Sequence, residues 1–199
     1  MKKKLKDLGL DLLVVFIGVF AAFQLSDIKD SKKDKVTKLN YFESFKRELI
    51  SVNQDVITLR DSIDQIIEYY ESGVANGTRH ELVVFRHLNF MAKPHIVESA
   101  FDSEIFTNMN PGYLVSISRG SNIFYQIDYK MKEYNSRCKD LLYNKEVRIN
   151  NFYDEKGLKP QYQWYLDDLK EIRLLLNALN QSIEKGAVPG TEFEIERMK

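Results

Sequence analysis

The chain has 199 residues, with 29 lysines and arginines against 29 aspartates and glutamates, so its formal net charge is zero. A hydrophobic fraction of 44% excludes a disordered or low-complexity polymer, and the neutral balance argues against a general nucleic-acid binder, which needs net basic charge or a basic stripe. One cysteine, Cys138, excludes an internal disulfide framework, while 12 phenylalanines, 11 tyrosines and one tryptophan can fill a core without metal or disulfide help.

The chain opens with a short basic tail, residues 1–7, carrying Lys2, Lys3, Lys4 and Lys6. Residues 12–23 are then apolar without interruption. The wider window 8–28 corresponds to about 30 Å of helix, enough to cross a bilayer. Its polar residues sit near the ends: Asp11 at one, Gln24, Ser26 and Asp27 at the other. The window is therefore expected to be a retained transmembrane anchor. Two other readings stand beside it: a signal peptide cleaved after Val19-Phe20-Ala21, and a buried core helix. The anchor is favoured because the apolar run passes without a loop into strongly helical sequence.

Lysines 29, 32, 33, 35 and 38 follow the window, so the positive charge on its two sides is nearly balanced. A short lysine-rich N-terminus stays in the cytoplasm, and long C-terminal domains translocate largely regardless of charge. The expected arrangement is a single-pass protein of the cytoplasmic (inner) membrane, N-terminus inside and the C-terminal domain periplasmic. Asp11, Gly18, Ala22 and Leu25 share one helix face. Gly18 and Ala22 form a small-xxx-small pair that admits a second helix, and Asp11 is costly in lipid unless it meets a partner, water or headgroups. Asp11, Gly18, Ala22 and Gln24 are the candidate membrane-interface and oligomerisation residues. The partners expected are the lipid bilayer and either a second copy or another membrane protein, with no nucleic acid.

Residues 29–186 read as an all-α domain, an antiparallel helical bundle. Phe42, Phe45, Leu49, Val52, Val56, Leu59, Ile63, Ile66 and Tyr70 form a heptad stripe, unbroken by glycine or proline until Gly73 and Asn76-Gly77. Residues 80–88 read as a short helix, and Ser99 as the cap of another over 100–107. Asn110-Pro111-Gly112 reads as a turn, followed by a helix that kinks near Gly120 and carries Phe124, Ile127, Met131, Tyr134, Cys138 and Leu141. After a break at Gly157 and Pro160, Tyr162, Tyr165, Leu169, Ile172, Leu176, Leu179 and Ile183 mark a final long helix that Gly186 and Pro189 stop. Residues 187–199 then form a polar, loose tail. The stripes admit an intermolecular coiled coil as an alternative to an intrachain core.

The residues Asp11, Ile17-Gly18, Ala22-Phe23-Gln24 and Ser26-Asp27 follow a pattern of an acidic residue, an apolar run, Ile-Gly, Ala-x-Gln and a polar end. This resembles the anchor of an uncharacterised bacterial family, domain of unknown function 6090, although Ile28 stands where tryptophan is common. Glu48-Leu49 and Asn53 echo an E-L-x-x-N pattern of the same family, with three residues rather than two between Leu49 and Asn53, and the likeness returns around residues 101–129. The resemblance implies a single-span envelope protein of a Gram-negative bacterium with a helical external domain. It supplies no activity and no catalytic residue.

The chemistry-bearing residues are sparse. His80-Glu81 lacks the second histidine of H-E-x-x-H, since Val84 occupies that position. His80 and His87 need a third ligand such as Glu81 or Glu98 to hold a metal. Cys138 lies on an apolar stripe, as a buried thiol does. Asp167-Asp168 and Glu192 with Glu194 read as solvated charge. Asn76 and Asn180 fall in N-x-Ser/Thr patterns. G-x-S-x-G, the P-loop and G-x-G-x-x-G are all absent. The expectation is a non-enzymatic interaction, scaffold or sensor-like envelope protein without a cofactor. A subunit of an ion-conducting or energy-transducing complex using Asp11 and an envelope enzyme are the alternatives.

Overall fold

Helix-forming sequence with no proline before residue 94 produces one very long helix. A computed structural model describes the backbone of residues 2–82, 88–89, 109–143, 152–155 and 157–199, and the side chains within those ranges from residue 33 onward, Tyr143 excepted. Helix α1 (Lys2–Ala75) has 74 residues, about 110 Å of helix at 1.5 Å per residue. Its end is chemically defined. Gly77 takes φ +70°, Thr78 N–H donates to the Gly73 carbonyl at 2.7 Å, and Gly77 N–H donates to that of Val74 at 3.2 Å. Those two bonds satisfy carbonyls that the last turn leaves open, and the left-handed residue they require is a glycine.

Residues 78–82 and 88–89 are not helical, so the short helix expected over 80–88 does not form at its two ends; 83–87 lie outside the described residues, as does the helix expected over 100–107. The carbonyls here are used by tyrosines instead: Tyr153 donates to that of His80 at 2.7 Å and Tyr70 to that of Glu81 at 2.8 Å. Asn135 holds Leu88 by both backbone groups, accepting from its N–H at 3.1 Å and donating to its carbonyl at 2.8 Å.

Helix α2 (Pro111–Cys138) begins where a turn was expected. Asn110 accepts from Gly112 N–H at 2.8 Å, and Pro111 occupies a first-turn position where a missing N–H costs nothing. The helix runs through Gly120 without interruption. It passes into a π turn, Lys139–Tyr143. That wider turn moves the inward position by one residue: Leu142 is 8% exposed and Leu141, the residue expected inside, is 38% exposed.

Two short strands, β1 (Tyr153–Asp154) and β2 (Gly157–Leu158), pair antiparallel with Tyr153 opposite Leu158. A 3₁₀ turn, Pro160–Tyr162, leads into α3 (Trp164–Ser182). The expected stop at Gly186 and Pro189 does not occur. A π turn, Ile183–Ala187, carries the helix into α4 (Val188–Met198), and residues 187–199 are not a loose tail. Val188 N–H bonds back five residues to Ile183, so the chain is already off the α-helical ladder where Pro189 would break it. The inward residues Ile183, Ala187, Thr191 and Ile195 are all buried.

The rods pack through the expected stripes, with Ile67 more deeply buried than Ile66 on α1. Ion pairs fix the directions. Lys46–Glu192, Arg173–Asp64 and Lys170–Glu71 step backward along α3–α4 as α1 advances; Lys130–Glu171 and Arg137–Asp168 do the same for α2. Helices α1 and α2 therefore both run antiparallel to the α3–α4 rod. The protein is mostly helical, and its two-stranded hairpin is the only sheet among the described residues.

Leu142→Ala is expected to cost about 2–4 kcal/mol of unfolding free energy as a buried deletion, and Leu141→Ala less than about 1 kcal/mol. Urea unfolding of both variants checks the register that the π turn sets.

Candidate functional site

Asp11, Gly18, Ala22 and Gln24 lie on α1, but their side chains, like all those of window 8–28, are outside the described residues. Among the described residues no helix is long and apolar enough to cross a membrane. The candidates later in the chain are placed more fully. His80 stacks on Tyr69 with ring centroids 4.0 Å apart, and the tight turn at Gly73 leaves its ring just enough room, since a Cβ there would collide with it. His87, His95 and Glu98 lie outside the described residues. Among the described residues no group of three His, Cys, Asp or Glu side chains could hold a metal ion. Asp168 is bound by Arg137 at 2.8 Å.

At one end of the rods the interior is aromatic. Tyr70 meets Tyr165 edge-on with centroids 5.2 Å apart, and Trp164 and Tyr165 both pack on Tyr134. Tyr134 hydrogen-bonds with Cys138 and Tyr165. Burial pushes the phenols of Tyr134 and Tyr165 far above their ordinary range and raises the Cys138 thiol from 9.0 to about 11. A buried thiol held in its protonated form is a poor nucleophile. This cluster fills space and locks α1, α2 and α3 together.

At the other end polar contacts join the buried rings of Phe42 and Phe45. Asn180 donates to Asn53 at 2.8 Å and to Glu184 at 3.0 Å, while Asn53 donates to Glu184 at 3.0 Å. Asn180, one of the two N-x-Ser/Thr asparagines, thus spends its amide between α1 and the π turn. Thr191 donates to the Ala187 carbonyl at 2.7 Å. Its single proton being used there, Tyr113 donates to the Thr191 hydroxyl, also 2.7 Å away. Glu194, expected to be solvated, is completely buried; Arg197 reaches it at 2.8 Å and Asn110 N–H at 3.4 Å. A cation and a helix start thus compensate a buried carboxylate. Neither Thr191 nor Glu194 belongs to an apolar stripe, so hydrophobic periodicity alone misses both.

Two of the concavities at this end share residues. A cavity of about 40 Å³ lies between α1, α2 and the π turn, walled by Leu49, Val52, Ile117 and Phe124 with Glu48, Ser116 and Ser182 beside them. Glu48 and Asn53, which carry the E-L-x-x-N echo, therefore both face inter-rod contacts. A wider open groove of about 490 Å³ runs outside it between α2 and the α3–α4 rod and shares Ser116 and Ser182 with the cavity. The groove carries Arg119 and Lys185 and no carboxylate.

Cys138 is expected to react with a thiol reagent at pH 8 at least about a hundredfold more slowly in the folded chain than in urea, where its pKa returns to about 8.5. Because its folded pKa lies above the unfolded one, its contribution to stability is intact below pH 8.5 and is lost as pH rises toward 11; urea midpoints at pH 7, 9 and 10 check the direction. Thr191→Val is expected to cost about 1–3 kcal/mol by leaving the buried Tyr113 hydroxyl without its acceptor, read from the same unfolding curves. No family model matches the sequence, and no curated protein or solved structure matches it either.

Proposed function

We propose that this chain is a single-pass protein of the cytoplasmic membrane, of the kind seen in the family domain of unknown function 6090, whose helical domain stands outside the membrane and works by binding rather than by catalysis. Residues 8–28 cross the bilayer and residues 29–186, together with the helical 187–199, form the periplasmic part. The observation that carries the reading is the continuity of α1 from Lys2 to Ala75. The apolar window and the bundle core belong to one helix. Between them, residues 33–37 are exposed and Phe42 is the first buried residue. Ile28 and Phe42 are about 20 Å apart along the axis at 1.5 Å per residue. A helix of that kind holds the bundle at a fixed height over the headgroups.

A binding role rather than an enzymatic one is supported by the protonated, buried Cys138 and by the engagement of Asp168 with Arg137. Gly18 and Ala22 supply a surface for a second copy or another membrane protein, with Asp11 and Gln24 at the two ends of the span.

The full chain carrying a C-terminal tag is expected to sediment with membranes, resist alkaline carbonate and dissolve only in detergent. Protease added to spheroplasts is expected to remove the tag, and intact cells to protect it. Recovery in the soluble fraction, or a mature N-terminus at Ala22, overturns the anchor; a tag protected in spheroplasts overturns the orientation.

A further inference from the structure

We propose that the groove between α2 and the α3–α4 rod binds a small organic phosphate, with the phosphate on Arg119 and Lys185 and an apolar body against Val115 and Ile123. The argument begins with charge pairing. Lys46, Lys130, Arg137, Lys170 and Arg173 each meet a carboxylate on a neighbouring rod. Arg119 and Lys185 depart from that pattern. They line one groove, and neither forms an ion pair with a described residue. The carboxylate next to Lys185 in sequence, Glu184, is turned toward α1, where Asn53 and Asn180 hold it.

The remaining lining fits the same ligand. Ser116, Gln181 and Ser182 bring hydroxyl and amide donors to the groove, and phosphate oxygens accept from such groups. Val115, 63% exposed, gives an apolar body somewhere to rest. Two full positive charges match a phosphate monoester, which carries about −1.5 to −2 at pH 7, better than a single carboxylate. The groove volume of about 490 Å³ lies within the range of about 300–1,000 Å³ usual for small-molecule sites. The site does not depend on the membrane reading: it belongs to the bundle.

The test is calorimetric titration of the full chain, in neutral detergent where needed, with hexyl phosphate and with inorganic phosphate. Hexyl phosphate is expected to saturate with one site and bind more tightly than inorganic phosphate. Arg119→Gln and Lys185→Gln are each expected to weaken it about tenfold, and the pair to abolish it. Lys132→Gln, whose parent pairs with Asp128 on the same helix, is expected to leave it unchanged. Urea midpoints equal to that of the parent chain establish that the variants fold. Competition by nanodiscs of anionic phospholipid, but not of zwitterionic phospholipid, assigns the phosphate to a lipid headgroup; no competition assigns it to a free organic phosphate. Absence of saturable binding, unchanged affinity in both groove variants, or an equal loss in Lys132→Gln overturns the proposal.

Discussion

The structure depends on one packing constraint: the rod from Trp164 to Met198 must keep the same face inward along its whole length, because α1 and α2 both lie against it. An α-helix advances 100° per residue, so an inward set spaced by fours drifts around the axis by 40° at each step. The buried set at the end of the rod is spaced that way: Ile183, Ala187, Thr191 and Ile195. The π turn Ile183–Ala187 absorbs part of the drift by adding residues to one turn. The same device at Lys139–Tyr143 keeps Leu142 facing the core as α2 ends. Both irregularities are the cost of matching rods whose apolar spacing is not that of a straight helix, and in both the hydrophobic contact outweighs the distorted hydrogen bonds.

The polar groups inside this core serve a related purpose. Apolar stripes alone permit two helices to slide by a turn, because a leucine fits against a leucine at more than one register. The Asn53–Asn180–Glu184 knot and the Tyr113–Thr191 hydrogen bond do not permit it, since a one-turn shift breaks all of these bonds at once and strips the buried Tyr113 hydroxyl of its partner. Close approaches enforce the same register sterically. A Cβ at Gly186 would strike Ser116, and one at Gly190 would strike the Tyr113 ring. Glycines that resemble helix breaks in the sequence are therefore contact points in the fold.

That distinction explains how much was legible in advance. The helical class and the inward faces of α1, α2 and α3 follow from the spacing of apolar residues, which depends only on local geometry. Leu141 and Leu142 could not be ranked that way, because both are leucines and the choice is made by a π turn that tertiary contact induces. The end of the chain was misread for a different reason. Its buried positions include Thr191 and Glu194, and polar residues inside a core become recognisable only once their partners, Tyr113 and Arg197, are in place. Asn110-Pro111 was ambiguous between a turn and a helix start, since the same two residue types favour both. The groove cations were invisible as a pair, Arg119 and Lys185 being far apart in the chain and joined only by antiparallel packing.

The two ends of the bundle differ in their contacts, and the difference bears on how an event at the groove would reach the start of α1. The aromatic cluster of Tyr70, Tyr134, Trp164 and Tyr165 gathers the ends of the rods farthest along α1 from the apolar window. The groove lies at the level of Glu48 to Asn53 on α1, as its shared serines and the Asn53–Asn180 bond require. That level is only about two turns beyond Phe42, where α1 first enters the core. Contacts there combine the buried rings of Phe42, Phe45 and Tyr113 with hydrogen bonds and a cavity alongside; contacts at the other end are interlocked tyrosine and tryptophan rings. A ligand seated on Arg119 and Lys185 would therefore press on α2 and the α3–α4 rod across the groove, near the level at which α1 enters the core. Because α1 is continuous from Lys2 to Ala75, a shift of its first core turns relative to α2 would be carried along the helix toward residues 8–28.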